Sequence, residues 1–96
     1  MNNSQQMLEA LEQQDLAKAD SYFQKAIKED SDEVLLELGS YLEGIGFYPQ
    51  ASQIYEKLSP KFPEVNINLA SIASEDGLIE EAFTYFSRLF IFPFLL

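Results

Sequence analysis

Three times in this chain of 96 residues an alanine is followed four positions on by an aromatic ring, and three further on by a small or leucine side chain. The sets are Ala19, Phe23, Ala26; Ala51, Tyr55, Leu58; and Ala82, Phe86, Leu89, at steps of 32 and 31 residues. Spacings of four and three fall on one face of an α-helix. Five residues before the second and third alanines stand Gly46 and Gly77, with Gln14 at the equivalent point of the first set. Two positions after these come Leu16, Tyr48 and Ile79 as counterparts. A period of this size marks a two-helix unit that cannot bury its apolar side alone and is stable only beside others of its kind.

Read in order, Ser4 to Gln13 is expected as a first helix with Ser4 as its N-cap and Met7, Leu8, Ala10 and Leu11 apolar. The second runs from Leu16 to Glu29 behind Asp15 as cap, with Leu16, Ala19, Phe23, Ala26 and Ile27 on one stripe. The acidic run from Glu29 to Glu33 has no glycine-centred calcium loop and reads as a solvated turn that also caps the next helix. Asp32 to Ile45 is the third helix, with Val34, Leu35, Leu38, Leu42 and Ile45 inward. Gly39 lies in its middle, where glycine costs about 1 kcal/mol relative to alanine, so close approach of a neighbouring helix is expected there. A fourth helix follows Pro49, carries Ala51, Ile54, Tyr55 and Leu58, and stops at Pro60. Pro63 or Glu64 opens the fifth, with Val65, Leu69, Ile72 and Ala73 apolar. After the turn at Gly77 the sixth has Ile79, Ala82, Phe83, Phe86 and Leu89 as its buried stripe, so Phe23, Tyr55 and Phe86 are all expected in the core.

In the middle copy Leu38-Gly39, Leu42, Gly46, Tyr48, Ala51, Tyr55 and Pro63 follow one another as they do in a known repeat. On these residues the chain resembles the tetratricopeptide-repeat (TPR) family, whose unit is about 34 residues of helix-turn-helix. The third copy matches at Leu69-Ala70, Ala73, Gly77, Glu81-Ala82 and Phe86, and the first from Asp15 to Ala26. Leu35 stands where the family has Trp, and Leu58 where it has a later Ala. The resemblance implies an all-α solenoid of three antiparallel helix pairs in a right-handed superhelix, with repeats at about 1–31, 32–62 and 63–96 of a single domain. It also suggests the N-terminal repeats of a longer, bacterial-type repeat protein.

Composition bounds the function. Six basic against sixteen acidic residues give a net charge of −10 and a pI near 4.1. A phosphate backbone or an anionic membrane surface calls for the opposite sign, so neither nucleic acid nor membrane is expected as a partner. There is no Cys and no His, which removes disulfides, Cys/His metal sites and histidine-based acid–base or nucleophilic catalysis. The N-terminal residues form no basic region followed by a long apolar stretch, so a cytoplasmic protein is expected, with no cofactor, no metal and no catalytic residue.

The resemblance implies that the first helix of each repeat lines a binding groove. Carried over, the groove positions are Glu33, Leu36, Glu37, Ser40 and Glu43 in the middle copy, and Glu64, Ile67, Asn68, Ser71, Ser74 and Glu75 in the third. Leu36 and Glu37 replace the basic and amide residues with which family members hold a C-terminal carboxylate, so that mode is not expected. The expectation is a non-catalytic scaffold binding a peptide or helix with basic residues in an acidic groove. Those glutamates also read as a plain solvated helix face. Finally, Leu89 to Leu96 is continuously apolar but far short of the ~20 residues that span a bilayer. Phe90, Phe92, Phe94 and Leu95 therefore suggest the alternative, an oligomerisation unit that forms a homodimer through its C-terminal end.

Overall fold

The computed structural model describes the backbone of residues 1–95 and the side chains of residues 1–89. The described residues are all-helical, with six helices and no strand: α1 (Asn3–Glu12), α2 (Leu16–Glu29), α3 (Asp32–Gly44), α4 (Tyr48–Leu58), α5 (Val65–Glu75) and α6 (Ile79–Leu95). They form two compact units, Met1–Leu38 and Gly39–Leu96, with the division inside α3.

The recurring sequence pattern becomes a recurring turn. At the end of α1 the Gln14 N–H donates to the Leu11 carbonyl (3.0 Å) and the Asp15 N–H to that of Ala10 (2.9 Å). Gly46 and Phe47 do the same to Glu43 (3.1 Å) and Leu42 (2.8 Å), and Gly77 and Leu78 to Ser74 (3.0 Å) and Ala73 (2.8 Å). Each is the paired closure of a helix C-terminus that requires a left-handed residue at its centre. The three residues have φ of 61°, 86° and 75°. In each case the signature alanine, Ala19, Ala51 or Ala82, donates to the carbonyl of the residue just past the turn, the first hydrogen bond of the following helix. The alanine–aromatic spacing thus starts from the same helical position each time.

In the Met1–Leu38 unit α1 and α2 pack as a hairpin, burying Met7, Ala10, Ala19, Phe23 and Ala26. Leu16, expected on the buried stripe, is exposed; it shares the face of Ala19 and Phe23 but is the first residue of α2. The expected cap Ser4 lies inside α1. Asn2 caps instead: its side chain accepts from the Gln5 N–H (2.8 Å), and the Gln5 amide oxygen accepts from the Asn2 N–H (3.0 Å). Reciprocal bonds across three residues satisfy two N–H groups at once, which a cap at Ser4 would forgo. Ser4 is thereby released to meet the far end of the hairpin. Its N–H and hydroxyl donate to Asp30 Oδ2 at 2.8 and 2.7 Å, while Asn3 Nδ2 reaches Asp30 Oδ1 at 3.1 Å. Asp30 is accordingly no solvated turn residue; it caps the N-terminus of α1 from the end of α2. Burial works to raise its pKa, but the hydrogen bonds from Ser4 and Asn3 prevail and hold it below the ordinary carboxylate value. The cap of α3 within the acidic run is Ser31, whose Oγ accepts from the Val34 N–H at 3.3 Å.

In the Gly39–Leu96 unit α4 packs on α5 and α5 on α6. Gly39 of α3 lies against α4: a Cβ built on it would stand 3.1 Å from Tyr55 Cε1 and 3.2 Å from Ile54 Cγ2. Ile54, Tyr55 and Leu58 are buried, as are Val65, Leu69 and Ile72 of α5, while Ile45 at the turn is exposed. The α4–α5 connection is held by Asn66, itself buried, whose Nδ2 donates to the Pro63 carbonyl (2.9 Å) and Ser59 Oγ (3.1 Å). The fifth helix, expected to open at Pro63 or Glu64, begins at Val65 with Glu64 as its N-cap.

The expected stripe of α6 is corrected most. Ala82 is buried, in a cluster with Ala70 and Ala73 against which Tyr85 packs, but Ile79, Phe83 and Phe86 are exposed. Apolar residues occupy two adjacent stripes of this helix, and α5 takes the one through Ala82 and Tyr85. Phe86 therefore does not join Phe23 and Tyr55 in the core.

Two substitutions test these backbone and packing statements in urea unfolding. Gln14→Gly relieves a left-handed conformation unfavourable to a side chain and is expected to stabilise the chain by about 1 kcal/mol. Gly39→Leu forces bulk between α3 and the buried Tyr55 and is expected to destabilise it by about 1–3 kcal/mol.

Candidate functional site

A cleft of about 370 Å³ opens on the Gly39–Leu96 unit, lined by Ser40, Glu43, Gly44, Tyr48, Asn68, Ser71, Ile72 and Glu75. Its walls follow from helical spacing. Ser40, Glu43 and Gly44 share one side of the last turns of α3, and Asn68, Ser71, Ile72 and Glu75 repeat at three, four and seven residues along α5. Tyr48, the first residue of α4, completes it.

Glu43 holds these elements together. Its Oε1 accepts from the Tyr55 hydroxyl at 2.8 Å and from Asn68 Nδ2 at 3.0 Å, so one oxygen joins α3, α4 and α5. Burial, and then the carboxylate bonded to it, push the Tyr55 phenol well above its ordinary pKa. A carboxylate near the C-terminus of a helix faces the negative end of the macrodipole, and the two donors offset that disadvantage. Glu75 is the last residue of α5 and meets the same unfavourable end. Neither α3 nor α5 has a basic residue in its last turn, whereas α2 has Lys28 and α4 has Lys57. Two carboxylates and two helix C-termini therefore converge on a cleft that no basic side chain lines. Such a site attracts a cation and repels an anion.

Of the expected groove residues, Ser40, Glu43, Asn68, Ser71 and Glu75 line this cleft. Ser74 does not, because it lies off the face that Ser71 and Glu75 share. Glu64 and Ile67 are exposed residues outside it. Glu33, Leu36 and Glu37 belong to the other unit: the two glutamates are exposed and Leu36 is half-buried. Gly44, Tyr48 and Ile72 were not anticipated as lining residues, although their spacing from Ser40, from the turn and from Asn68 puts them on the same faces. Phe90, Phe92, Phe94 and Leu95 lie outside the residues whose side chains are described.

A second cleft, lined by Glu56, Ser59, Pro60, Pro63, Asn66 and Arg88, is of another kind. Arg88 Nη1 lies 3.5 Å from Glu56 Oε2 and 3.4 Å from Asn66 Oδ1, and its guanidinium stacks 4.9 Å from the centroid of Tyr85. Tyr85 is raised in pKa by burial and by Glu56, with Arg88 acting in the opposite direction. The Arg88 cation is thus engaged in fastening α6 to Glu56 of α4 and Asn66 of α5. Among the described residues no group of three or more Asp or Glu is placed to hold a metal ion, and no helix is long and apolar enough to cross a membrane. Comparison with protein-family models, curated proteins and solved structures finds no match to this chain.

Replacing Tyr55 by Phe removes a hydrogen bond to a charged group and is expected to lower stability by roughly 1.5–3 kcal/mol in urea unfolding. A phenol with a raised pKa in the folded state contributes stability that is present below its unfolded value, about 10, and lost as pH rises above it. Stability of the native chain should thus fall above about pH 10, and Tyr55→Phe should flatten that slope.

Proposed function

We propose that this chain is a non-catalytic protein-interaction module that takes a basic side chain of a partner, carried on a peptide or helix, into the acidic cleft between α3 and α5. One observation carries the reading: Glu43 and Glu75 meet at two helix C-termini in an open cleft lined by no basic residue. A Lys or Arg entering it gains the carboxylates and both dipole ends together, and Ser40, Ser71 and Asn68 offer further polar groups to a backbone alongside. Glu43 is held by Tyr55 and Asn68, which suits a fixed recognition group better than one that must move a proton. The identical turns at Gln14, Gly46 and Gly77 support reading the fold as three TPR-like repeats, with α3 and α5 as the groove helices. The net charge of −10 adds long-range attraction for a cationic partner.

The test uses a fluorescent lysine-rich peptide, and a glutamate-rich peptide of equal length, titrated with the native chain at low and moderate salt. The lysine peptide alone should bind, more weakly as salt rises, and Glu75→Lys and Glu43→Gln should each weaken it severalfold. Binding of both peptides alike, or binding indifferent to salt and to these substitutions, would contradict the proposal.

A further inference from the structure

The α6 residues that fail to enter the core form a surface of their own. Ile79 is 67% exposed, Phe83 73% and Phe86 42%, all on one side of the helix. The helix is fixed along the adjacent stripe, by Ala82 and Tyr85 against α5, and on its far side by Arg88 with Glu56 and Asn66. The cluster is therefore no packing defect awaiting a small rotation, since turning it inward would break those bonds. The same comparison can be made along the repeat. Phe83 falls 31 positions after Ser52, a polar residue of α4, so the aromatic ring has been added where the equivalent helix has none.

The steps from Ile79 to Phe83 to Phe86 are four and three, and the next apolar residue in the sequence at that alternation is Phe90. This is the spacing of a seam between two helices. Its charge pattern selects the occupant. In a chain of net charge −10, the only charged residue flanking the described part of the seam is Glu80; Glu81 and Arg88 lie on the far side of the helix. A basic partner would find almost nothing to pair with here, whereas an uncharged apolar seam matches itself. Two α6 helices side by side in parallel would align their Glu80 carboxylates. An antiparallel pair separates them, and it opposes the helix dipoles favourably.

We propose that the Ile79–Phe83–Phe86 face of α6 pairs antiparallel with the same face of a second copy of this chain, Phe83 of each lying against the partner's Phe86. The two-fold axis passes between these rings, and the interface is isologous. Each copy carries the same net charge, so association strengthens with added salt, opposite to binding of a basic peptide in the cleft.

The experiment is sedimentation equilibrium of the full chain over a hundredfold range of concentration at low and high salt, with helix content followed by circular dichroism. The apparent mass should climb from 11.0 kDa towards twice that value, further at high salt. Phe83→Lys and Phe86→Asp, at exposed positions, should each keep the native helix content and stay at the mass of one chain; Ile79→Lys provides an independent third disruption. An equimolar mixture of the Phe83→Lys and Phe86→Asp chains should associate again, since antiparallel pairing sets the new lysine against the new aspartate. Glu75→Lys, in the cleft, should leave association intact. A native chain that keeps the mass of one chain throughout overturns the proposal, as do substituted chains that associate like the native one, through the Phe90–Leu96 tail or elsewhere. A mixture that stays apart overturns the antiparallel arrangement.

Discussion

The contact on which the Gly39–Leu96 unit turns is between the Tyr55 side chain and α3. The ring rests on Gly39 and the hydroxyl, one helical turn further along, donates to Glu43. Both positions are needed at a spacing of four. A side chain at 39 would lift the ring, and without an acceptor at 43 a buried phenol would lose its partner. Once Tyr55 has fixed Glu43, the same carboxylate oxygen has only one direction left from which Asn68 approaches, and α5 is brought to the cleft. The packing of an aromatic ring on a glycine and the placement of a recognition carboxylate are in this way a single constraint.

Much of this was legible in the sequence. The 31- and 32-residue steps located the three helix-ending turns, including the one at Gln14 where a side chain occupies the left-handed conformation that glycine takes at positions 46 and 77. The bounds of α2, its cap at Asp15 and the close approach at Gly39 followed from local chemistry, in which each signal lies within a few residues of its effect. Glu43, Asn68, Ser71 and Glu75 were picked out only through the resemblance to tetratricopeptide repeats, and they line one cleft.

What the sequence concealed involves choices between equivalent local signals or partners far apart. Asn2 with Gln5 and Ser4 both offer a start for α1; Asp30, 26 residues away, settles the matter by claiming Ser4. On α6 a period of 3.6 is met by Ala82 with Tyr85 and equally by Ile79 with Phe83 and Phe86. Periodicity cannot choose between adjacent stripes; the small Ala70 and Ala73 of α5 do, because they accept Ala82 closely. The bond from Asn68 to Glu43, across 25 residues, likewise has no signature in either segment.

The cleft gathers negative charge where a folded chain ordinarily avoids it, at helix C-termini, and holds one carboxylate there with two hydrogen bonds. A cationic side chain from outside is the occupant that this arrangement favours, and its position can be read residue by residue. The most direct measurement is a heteronuclear NMR titration of the native chain with the lysine-rich peptide, following every backbone amide. The account predicts that Ser40, Glu43, Gly44, Asn68, Ser71 and Glu75 move together and saturate at one affinity. Shifts confined to the acidic turn at residues 29–33, or spread evenly over all exposed glutamates, would contradict it.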